Sequence, residues 1–313
     1  MKAIVLEKGG GVEELKHKEI DKPAIQENEV LIKVKALGIN PVDVKTRSGK
    51  AFYSKLEGDD LMILGWDVAG VVEAVGSAVA KFKEGDAVFG MVNFPGHGKA
   101  YAEYVASPAD HLALKPEKIS FEEAAASTLA ALTAYQDLVH QANVQAGQRV
   151  VVHAAAGGVG HFAVQIAKSL GAYVIGTSSA GNKDFVLELG ADEHIDYKAK
   201  NFEEVAKDID LVIEIVGGEN IKRSVNTVKP GGKLVSNLGF NDEAAALAEK
   251  RGVDGKNYLV QSSGEDMDQL ADLLATGKVK AHVFKTFAFD ELAEAHLQVE
   301  TGHTRGKVVV TLP

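Results

Sequence analysis

The stretch that most limits what this chain can become is RVVVHAAAGGVGHFAVQIAKSLG, residues 149–171. A β-branched run, RVVVHA, leads into small residues and glycines, and an apolar-periodic run, VGHFAVQIAKSLG, follows at once. The first reads as a buried strand. The second reads as a helix that stops at Gly171, the residue type suited to a left-handed position just past a helix end. A strand that turns into a helix through residues with almost no side chain leaves bare amides at the helix mouth, open to a ligand. Counted back from Gly160, the fingerprint G-x-G-x-x-G falls on Ala155, Gly157 and Gly160, with alanine in the first place.

The surroundings repeat this rhythm. FEEAAASTLAALTAYQDLVHQA reads as one helix from residue 121, NKDFVLELG as another, and YVIGTS, HIDY, DLVIEIV, GKLVSNL and YLVQSS as strands. Strand–helix alternation predicts a parallel sheet covered by helices, the doubly wound α/β arrangement. Residues 1–120 differ: KAIVLE, EVLIKVKALGI, VAGVVEAVG and DAVFGMV are short β-like runs broken by Gly, Pro and Asp, as in a mostly-β barrel. The tail returns to that texture with VFKTFAF, a helix DELAEAHLQVETG, and GKVVVTL. The expectation is one domain from 1–121 with 265–313, and a nucleotide-binding domain from 122–264. A length of 313 residues accommodates two cores.

Composition narrows the classes of function. A formal net charge of −10 argues against a nucleic-acid backbone as main partner. No apolar run is long enough to cross a bilayer, and the N-terminus MKAIVLEKGG reads as a first strand rather than a signal peptide. The chain has no cysteine, which removes disulfides, thiolate catalysis and sulfur-ligated zinc, and fits a reducing compartment such as the cytoplasm.

In the glycine loop, the amides around Gly158 and Val159 are expected to face a diphosphate, and Gly160 to let the helix pack on its strand. NAD-binding folds usually end their second strand in an acid that holds the ribose hydroxyl. Here that end reads GTSSAGNK. Ser178 and Ser179 are short donors and Lys183 brings positive charge, which suits a 2′-phosphate and points to NADPH. His153 reads as a structural residue beside the loop, and the stripe Phe162, Val164, Ile166 and Leu170 as packing.

These residues carry a resemblance. GINPVDVKTRSG, LGWDVAGVVEAVG, AYAEYV, LTAYQDL, HAAAGGVGHFAVQIAKSLGA, LGADEHIDY and GHTRGKVVV together resemble the medium-chain dehydrogenase/reductase superfamily, in its zinc-free quinone-oxidoreductase-like branch. The resemblance implies a GroES-like domain, interrupted in sequence by a Rossmann domain, with the site in the cleft between them. It implies that Asn40 and Asp43 line the nicotinamide and substrate side, and that Lys183 and Tyr197 hold the adenosine 2′-phosphate. It further implies that Val216, Gly217 and Asn237 pass the nicotinamide. Phe52 and Tyr53 fall in the family's substrate-facing loop, as wall or as acid. Some relatives carry a tyrosine two residues after the Asp of NPVD; this chain has Lys45, so that role does not transfer. Lys45 is either a site residue or solvated. Arg305 and Lys307 either reach the cofactor or close the sheet. His97, flanked by glycines, reads as an exposed loop residue.

Zinc-dependent members of the superfamily place ligands where this chain has Asn40, Trp66 and Asp67. Tryptophan does not ligate zinc, and a catalytic site needs about three protein ligands. No metal is expected. Without a Lewis acid, reduction of a quinone or an α,β-unsaturated carbonyl by hydride transfer remains feasible, since charge develops on a conjugated oxygen that a hydrogen bond can stabilise. The proton donor is left open among Asn40, Lys45, Tyr53, a cofactor hydroxyl and water. The competing functions are an alcohol dehydrogenase and a non-catalytic, NADPH-binding structural or regulatory protein. A homodimer is expected, pairing YLVQSS with its copy across a sheet edge. Residues 50–64 are expected to set the size of the acceptor pocket.

Overall fold

The structure is a computed structural model that describes residues 1–58 and 61–313; Asp59 and Asp60, within the stretch expected to size the pocket, lie outside the described residues. The chain divides into two compact units. The first comprises Met1–Leu132, Gln261–Gly277 and Ala281–Pro313, and the second Thr133–Val260 with Lys278–Lys280.

The first unit opens with strands β1 (Lys2–Leu6), β2 (Leu15–Glu19) and β3 (Glu29–Ile39), then helices α1 (Pro41–Arg47) and α2 (Tyr53–Leu56). Strands β4 (Asp67–Val75), β5 (Ala87–Met91), β6 (Tyr104–Pro108) and β7 (Leu112–Leu114) and helix α3 (Phe121–Ala126) follow. Helix α4 (Leu129–Tyr135) spans the division between the units. The second unit alternates β8 (Arg149–Val152), α5 (Gly158–Ser169), β9 (Tyr173–Ser178), α6 (Lys183–Glu188), β10 (Glu193–Asp196), α7 (Phe202–Val205) and β11 (Ile209–Glu214). It continues with α8 (Glu219–Val225), β12 (Val228–Ser236), α9 (Asp242–Arg251) and β13 (Asp254–Asn257). The chain then completes the first unit with α10 (Gly264–Ala275), β14 (Val283–Ala288), α11 (Leu292–Glu300) and β15 (Lys307–Thr311).

In the first unit a seven-stranded sheet runs β14-β15-β3-β4-β5-β7, with β6 also on β3. The eleven-residue β3 is its spine. The strand from the far end of the chain, β15, pairs antiparallel with it, Val309 opposite Gly38 and Val310 opposite Leu37. Gly38 is small for a reason: a Cβ there would stand 2.6 Å from an Asp67 carboxylate oxygen and 2.9 Å from the Ala125 carbonyl of α3. The alanines of α3, Ala124 to Ala126, are fully buried, so this helix lies close on the sheet.

In the second unit six parallel strands run β10-β9-β8-β11-β12-β13. This is the order 3-2-1-4-5-6, whose direction of winding reverses between β8 and β11. Val150, Val151 and Val152 of β8 are all fully buried, as a parallel strand covered on both faces requires.

Two expectations change. The helix read over 121–142 is three pieces, α3, α4 and a π-helical turn at Gln136–Gln141. The first break falls at Ser127 and Thr128, whose hydroxyls bond back to the carbonyls of Glu123 (2.8 Å) and Ala125 (2.9 Å), a competition with the helix ladder that Ser and Thr favour. YLVQSS is not a strand. The outermost strand on that side of the sheet is the polar DGKN of β13, held in register by β12 with Lys233 opposite Asp254. The self-pairing expected of YLVQSS therefore loses its element.

Candidate nucleotide and acceptor sites

The glycine loop joins β8 to α5 as the sequence predicts. Ala154 takes a positive φ of 45°, Ala155 donates its amide to the Thr177 carbonyl (2.9 Å), and Gly157 caps α5. A Cβ on Gly160 would stand 2.2 Å from the Ala154 carbonyl oxygen, so only glycine allows α5 to sit this close to the turn. The first amide of α5 with an acceptor inside the helix is that of His161, which donates to the Gly157 carbonyl (3.1 Å). The amides of Gly158, Val159 and Gly160 precede it and point out of the helix mouth, where the helix dipole favours an anion.

His153 stands behind this loop. It is buried, with Nδ1 2.9 Å from the Thr177 hydroxyl and Nε2 3.0 Å from the Ser224 hydroxyl. Burial lowers its pKa, with the nearby Glu214 carboxylate opposing the shift. It is structural, as the sequence indicates.

At the carboxyl end of β9, Ser178 is buried and lies 2.8 Å from His194 Nε2 across the β9–β10 ladder. Asn182 Nδ2 donates to Ser179 Oγ (3.4 Å). Lys183 opens α6, and Tyr197 is about half exposed just beyond β10, its amide donating to the Ser178 carbonyl (3.3 Å). The second strand ends without an acid, and Ser178, Ser179, Lys183 and Tyr197 share that end of the sheet.

The end of β11 holds a residue that the sequence reading missed. Glu214 is fully buried. Its Oε1 accepts the amides of Val216 (2.8 Å) and Gly217 (3.0 Å). Its Oε2 accepts the Asn220 side-chain amide (2.8 Å) and the Ser224 hydroxyl (2.6 Å). One carboxylate thus shapes the turn Val216–Gly217–Gly218, in which both glycines take positive φ and Val216 is left about half exposed. An acid inside the aliphatic run LVIEIV was the available signal. Beside this turn, Asn237 gives its amide hydrogen to the Glu214 carbonyl (3.1 Å) and its side-chain NH₂ to Asp137 (3.2 Å) and to the Tyr258 carbonyl (3.3 Å). Burial pushes Asp137 up to about 7.

In the first unit, Asn40 caps α1 in a reciprocal box with Asp43, whose carboxylate accepts the Asn40 amide at 2.6 Å. The Asn40 side chain donates to Asp67 (2.8 Å) and accepts from Lys307, whose ammonium also reaches the Ile39 carbonyl (3.1 Å) and Asp67 (3.3 Å). Asn40, Asp43, Asp67 and Lys307 are all buried. Of the paired readings for Lys307, the geometry shows it closing the sheet onto this cluster. Lys45 lies on the opposite, exposed face of α1. Tyr53 begins α2 and borders a cavity of about 380 Å³ with Leu6, Leu61 and Met62. Phe52 packs edge-on to Trp66, itself fully buried. His97 lines a different cavity, of about 610 Å³, along with Lys99 and Tyr104. Arg305, half-buried, acts electrostatically on His282.

Residues 26–117 match the family model "Alcohol dehydrogenase GroES-like domain", and residues 189–310 match "Zinc-binding dehydrogenase". The chain is 38% identical to the 2-methylene-furan-3-one reductase of Solanum lycopersicum, over 99% of this chain and 79% of that protein. It is equally 38% identical to an NADPH-dependent alkenal/one oxidoreductase of Arabidopsis thaliana, with the same coverage. The quinone oxidoreductase of Coxiella burnetii superposes with a TM-score of 0.94 at 37% identity, covering 100% of this chain and 99% of that one. The chain belongs to the medium-chain dehydrogenase/reductase superfamily, in its quinone-oxidoreductase-like branch. The quinone oxidoreductase of Escherichia coli, solved with NADPH, shares the fold at a TM-score of 0.88 and 30% identity, covering 100% of both chains.

In a medium-chain dehydrogenase/reductase the name of the second family model raises zinc, and the donor set here does not fit that ion. Trp66 spends its indole N–H on the Gly96 carbonyl (2.7 Å). Asp67 already has a cation in Lys307, and its second oxygen accepts the Leu129 amide (2.9 Å). Among the described residues no three His, Asp or Glu side chains converge as a metal site. The residues do fit a phosphorylated dinucleotide: open amides at α5, a glycine that a Cβ would foul, and a β9 that ends in Ser178 rather than an acid, with Lys183 following at the start of α6.

Proposed function

We propose that this chain is an NADPH-dependent reductase of quinones or α,β-unsaturated carbonyls that needs no metal ion. The observation that carries this reading is the glycine loop at the mouth of α5, with Ser178 and Lys183, and no acid, at the end of β9. The names of relatives support the substrate class: one reduces a methylene-furanone, another alkenals or enones, others quinones.

When bound, NADPH supplies a hydride to the electrophilic β-carbon of the acceptor, and a proton completes the reduction. The chain's own residues do the rest by binding and orientation. The amides of Gly158 and Val159 take the diphosphate, with Ala155 and Gly157 giving it room. Ser178, Ser179, Lys183 and Tyr197 take the 2′-phosphate, where Lys183 contributes charge and the hydroxyls direction. Val216, Gly217 and Asn237 lie along the nicotinamide. On the acceptor side we place Asn40, Asp43, Lys45 and Tyr53. Lys45 and Tyr53 are the two that reach the surface, and so the two with access to an acceptor's developing oxyanion, while Asn40 and Asp43 set the backbone that presents them. Arg305 is assigned to the cofactor, and Lys307 to the frame around Asn40. The acceptor is a small molecule. We assign the protein to a reducing compartment, the cytoplasm, consistent with its lack of cysteine and with the absence, among the described residues, of a helix long and apolar enough to cross a membrane. We also propose a homodimer, supported by the uncovered outer edge at β13; elution from gel filtration as a monomer overturns it.

The test is NADPH oxidation with a panel of quinones, enones and simple aldehydes, using metal-stripped and zinc-supplemented protein. Turnover of quinones or enones, unaltered by zinc, is expected. Zinc-dependent alcohol oxidation would reinstate the alcohol dehydrogenase reading, and NADPH binding without turnover of any acceptor would favour the non-catalytic one.

A further inference from the structure

His194 is an unusual side chain for its place. It lies on β10 opposite Gly176 of β9, two residues short of the pair Asp196–Ser178 that ends this ladder. There its Nε2 meets the Ser178 hydroxyl at 2.8 Å. Ser178 is the last residue of β9, where dinucleotide folds present the group that reads the adenosine ribose. We propose that His194 is a positioning residue for the ribose 2′-phosphate, acting through Ser178, and that it makes the preference for NADPH over NADH increase as pH falls. The inference rests on the nucleotide reading given above.

The argument follows from counting protons. A serine hydroxyl has one hydrogen to give. A neutral imidazole with its proton on Nδ1 accepts that hydrogen at Nε2, so Ser178 has none left for a ligand. The other neutral tautomer, with its proton on Nε2, donates to Ser178 Oγ as an imidazolium does but brings no charge, so the pH dependence comes from the Nδ1–H population and from the charge that protonation adds. An imidazolium has N–H on both nitrogens. Nε2 then donates to Ser178 Oγ, and the serine hydrogen must turn elsewhere, either to the Ser179 carbonyl, 3.2 Å away, or to an anion at the strand end. Protonation also adds a positive charge beside Lys183.

The neighbours of the ring are identifiable. Burial holds His194 below the usual histidine range; Asp196, two residues along β10, opposes that shift, and Lys183, from α6, adds to it. Glu193 on the same strand is occupied by the Tyr173 hydroxyl (2.7 Å). From α7, Glu203 is paired with Arg223 and Glu204 with Asn201. Lys198 follows, its amide on Asp196 (3.0 Å). With the site free, the balance favours the neutral ring. A phosphate dianion within reach of Ser178 opposes Lys183 and reverses that balance.

The test compares the wild type with H194V and H194Q. Valine removes the nitrogen and suits a strand; glutamine can hold Ser178 but cannot titrate. Affinities for NADPH and NADH are measured by calorimetry from pH 6 to pH 8, and the His194 ring is followed by NMR with and without each nucleotide. The ring's pKa is expected to rise by about one unit or more with NADPH and to stay put with NADH. The ratio of NADPH to NADH affinity is expected to grow by about tenfold from pH 8 to pH 6 in the wild type and to lose that growth in both variants. The phosphate's own titration, near pH 6, is common to all three proteins and cancels in the comparison. Unchanged NADH affinity in H194V shows that the site is still folded. Parallel pH profiles for wild type and variants, or a ring that ignores NADPH, overturn the inference. A wild type that binds NADPH no better than NADH at every pH overturns the nucleotide reading beneath it.

Discussion

At Asp43 one carboxylate oxygen takes the Asn40 amide and the other is buried without a hydrogen-bond partner. Burial, and after it the charge on Asp67, pushes the Asp43 carboxyl up to about 8. The sign of the consequence is fixed by linkage. The unfolded chain releases this proton near the ordinary carboxylate value of 3.8, the folded chain only near 8. Between those values the folded state holds more protons, so this group's contribution to stability falls as pH rises from about 4 to about 8 and is level above. Asp137, pushed up to about 7, acts in the same direction over a narrower window. Asp43→Asn keeps an oxygen for the Asn40 amide and removes the ionisation. Its melting temperature at pH 8 is expected to equal or exceed that of the wild type, and the loss between pH 5 and pH 8 to shrink without vanishing, because Asp137 remains. Asp43→Ala loses the capping box and is expected to be less stable at every pH, by about 1 kcal/mol. Thermal denaturation at pH 5 and pH 8 decides; an Asn variant with the full wild-type slope would assign that slope to other groups.

Elements were legible where their pattern is intrinsic. EVLIKVKALGI reads as a strand from end to end and is β3 without correction, and the helix after the glycine loop stops before Gly171, which takes a φ of 83°. β13 was not legible, because DGKN has no strand propensity and is a strand only because β12 lies beside it. YLVQSS failed in the converse way, being apolar but without a ladder to join. Within the site, the loop glycines, Ser178 and Lys183 announce themselves through spacing. Glu214 does not, since its role is to collect four donors spread from Val216 to Ser224 and depends on how α8 folds back. Glu214→Gln turns one acceptor oxygen into a donor that faces either two amides or the Asn220 and Ser224 donors. Loss of charge-assisted hydrogen bonds on this scale is worth about 1.5–3 kcal/mol. The turn is expected to loosen, weakening affinity for both NADPH and NADH by about tenfold while leaving their ratio unchanged. Fluorescence titration with the two nucleotides checks this, and selective loss of NADPH alone would place the defect at β9 instead.

Across the whole molecule the first unit joins strands that are far apart in sequence. β15 lies between β14 and β3, its Val308, Val309 and Val310 all buried. Lys307 at its start is the buried partner of Asp67, 240 residues earlier in the sequence. No pattern within one window shows that pairing, although GKVVVTL reads plainly as a strand. By contrast, every strand of the second unit's sheet falls between Arg149 and Asn257, and its parallel order is built from successive strand–helix steps. Contacts so distant in sequence carry a larger loop-closure cost than local ones, and the following variants test how far the first unit depends on β15. Lys307→Met leaves the Asp67 carboxylate buried without its cation, a change that costs about 3–5 kcal/mol in comparable buried pairs. A chain ending at Thr304 loses the whole of β15 as well. The first unit of that truncated chain is expected to unfold while the second keeps its sheet, so that limited proteolysis degrades residues 1–132 and spares 133–260. Lys307→Met is expected to lie between the truncation and the wild type, folded at room temperature but with its first unit cleaved at lower temperatures than the second. Equal resistance of both units in the truncated chain would mean that β3 finds a sheet without β15, and that the central place of this strand is not what holds the unit together.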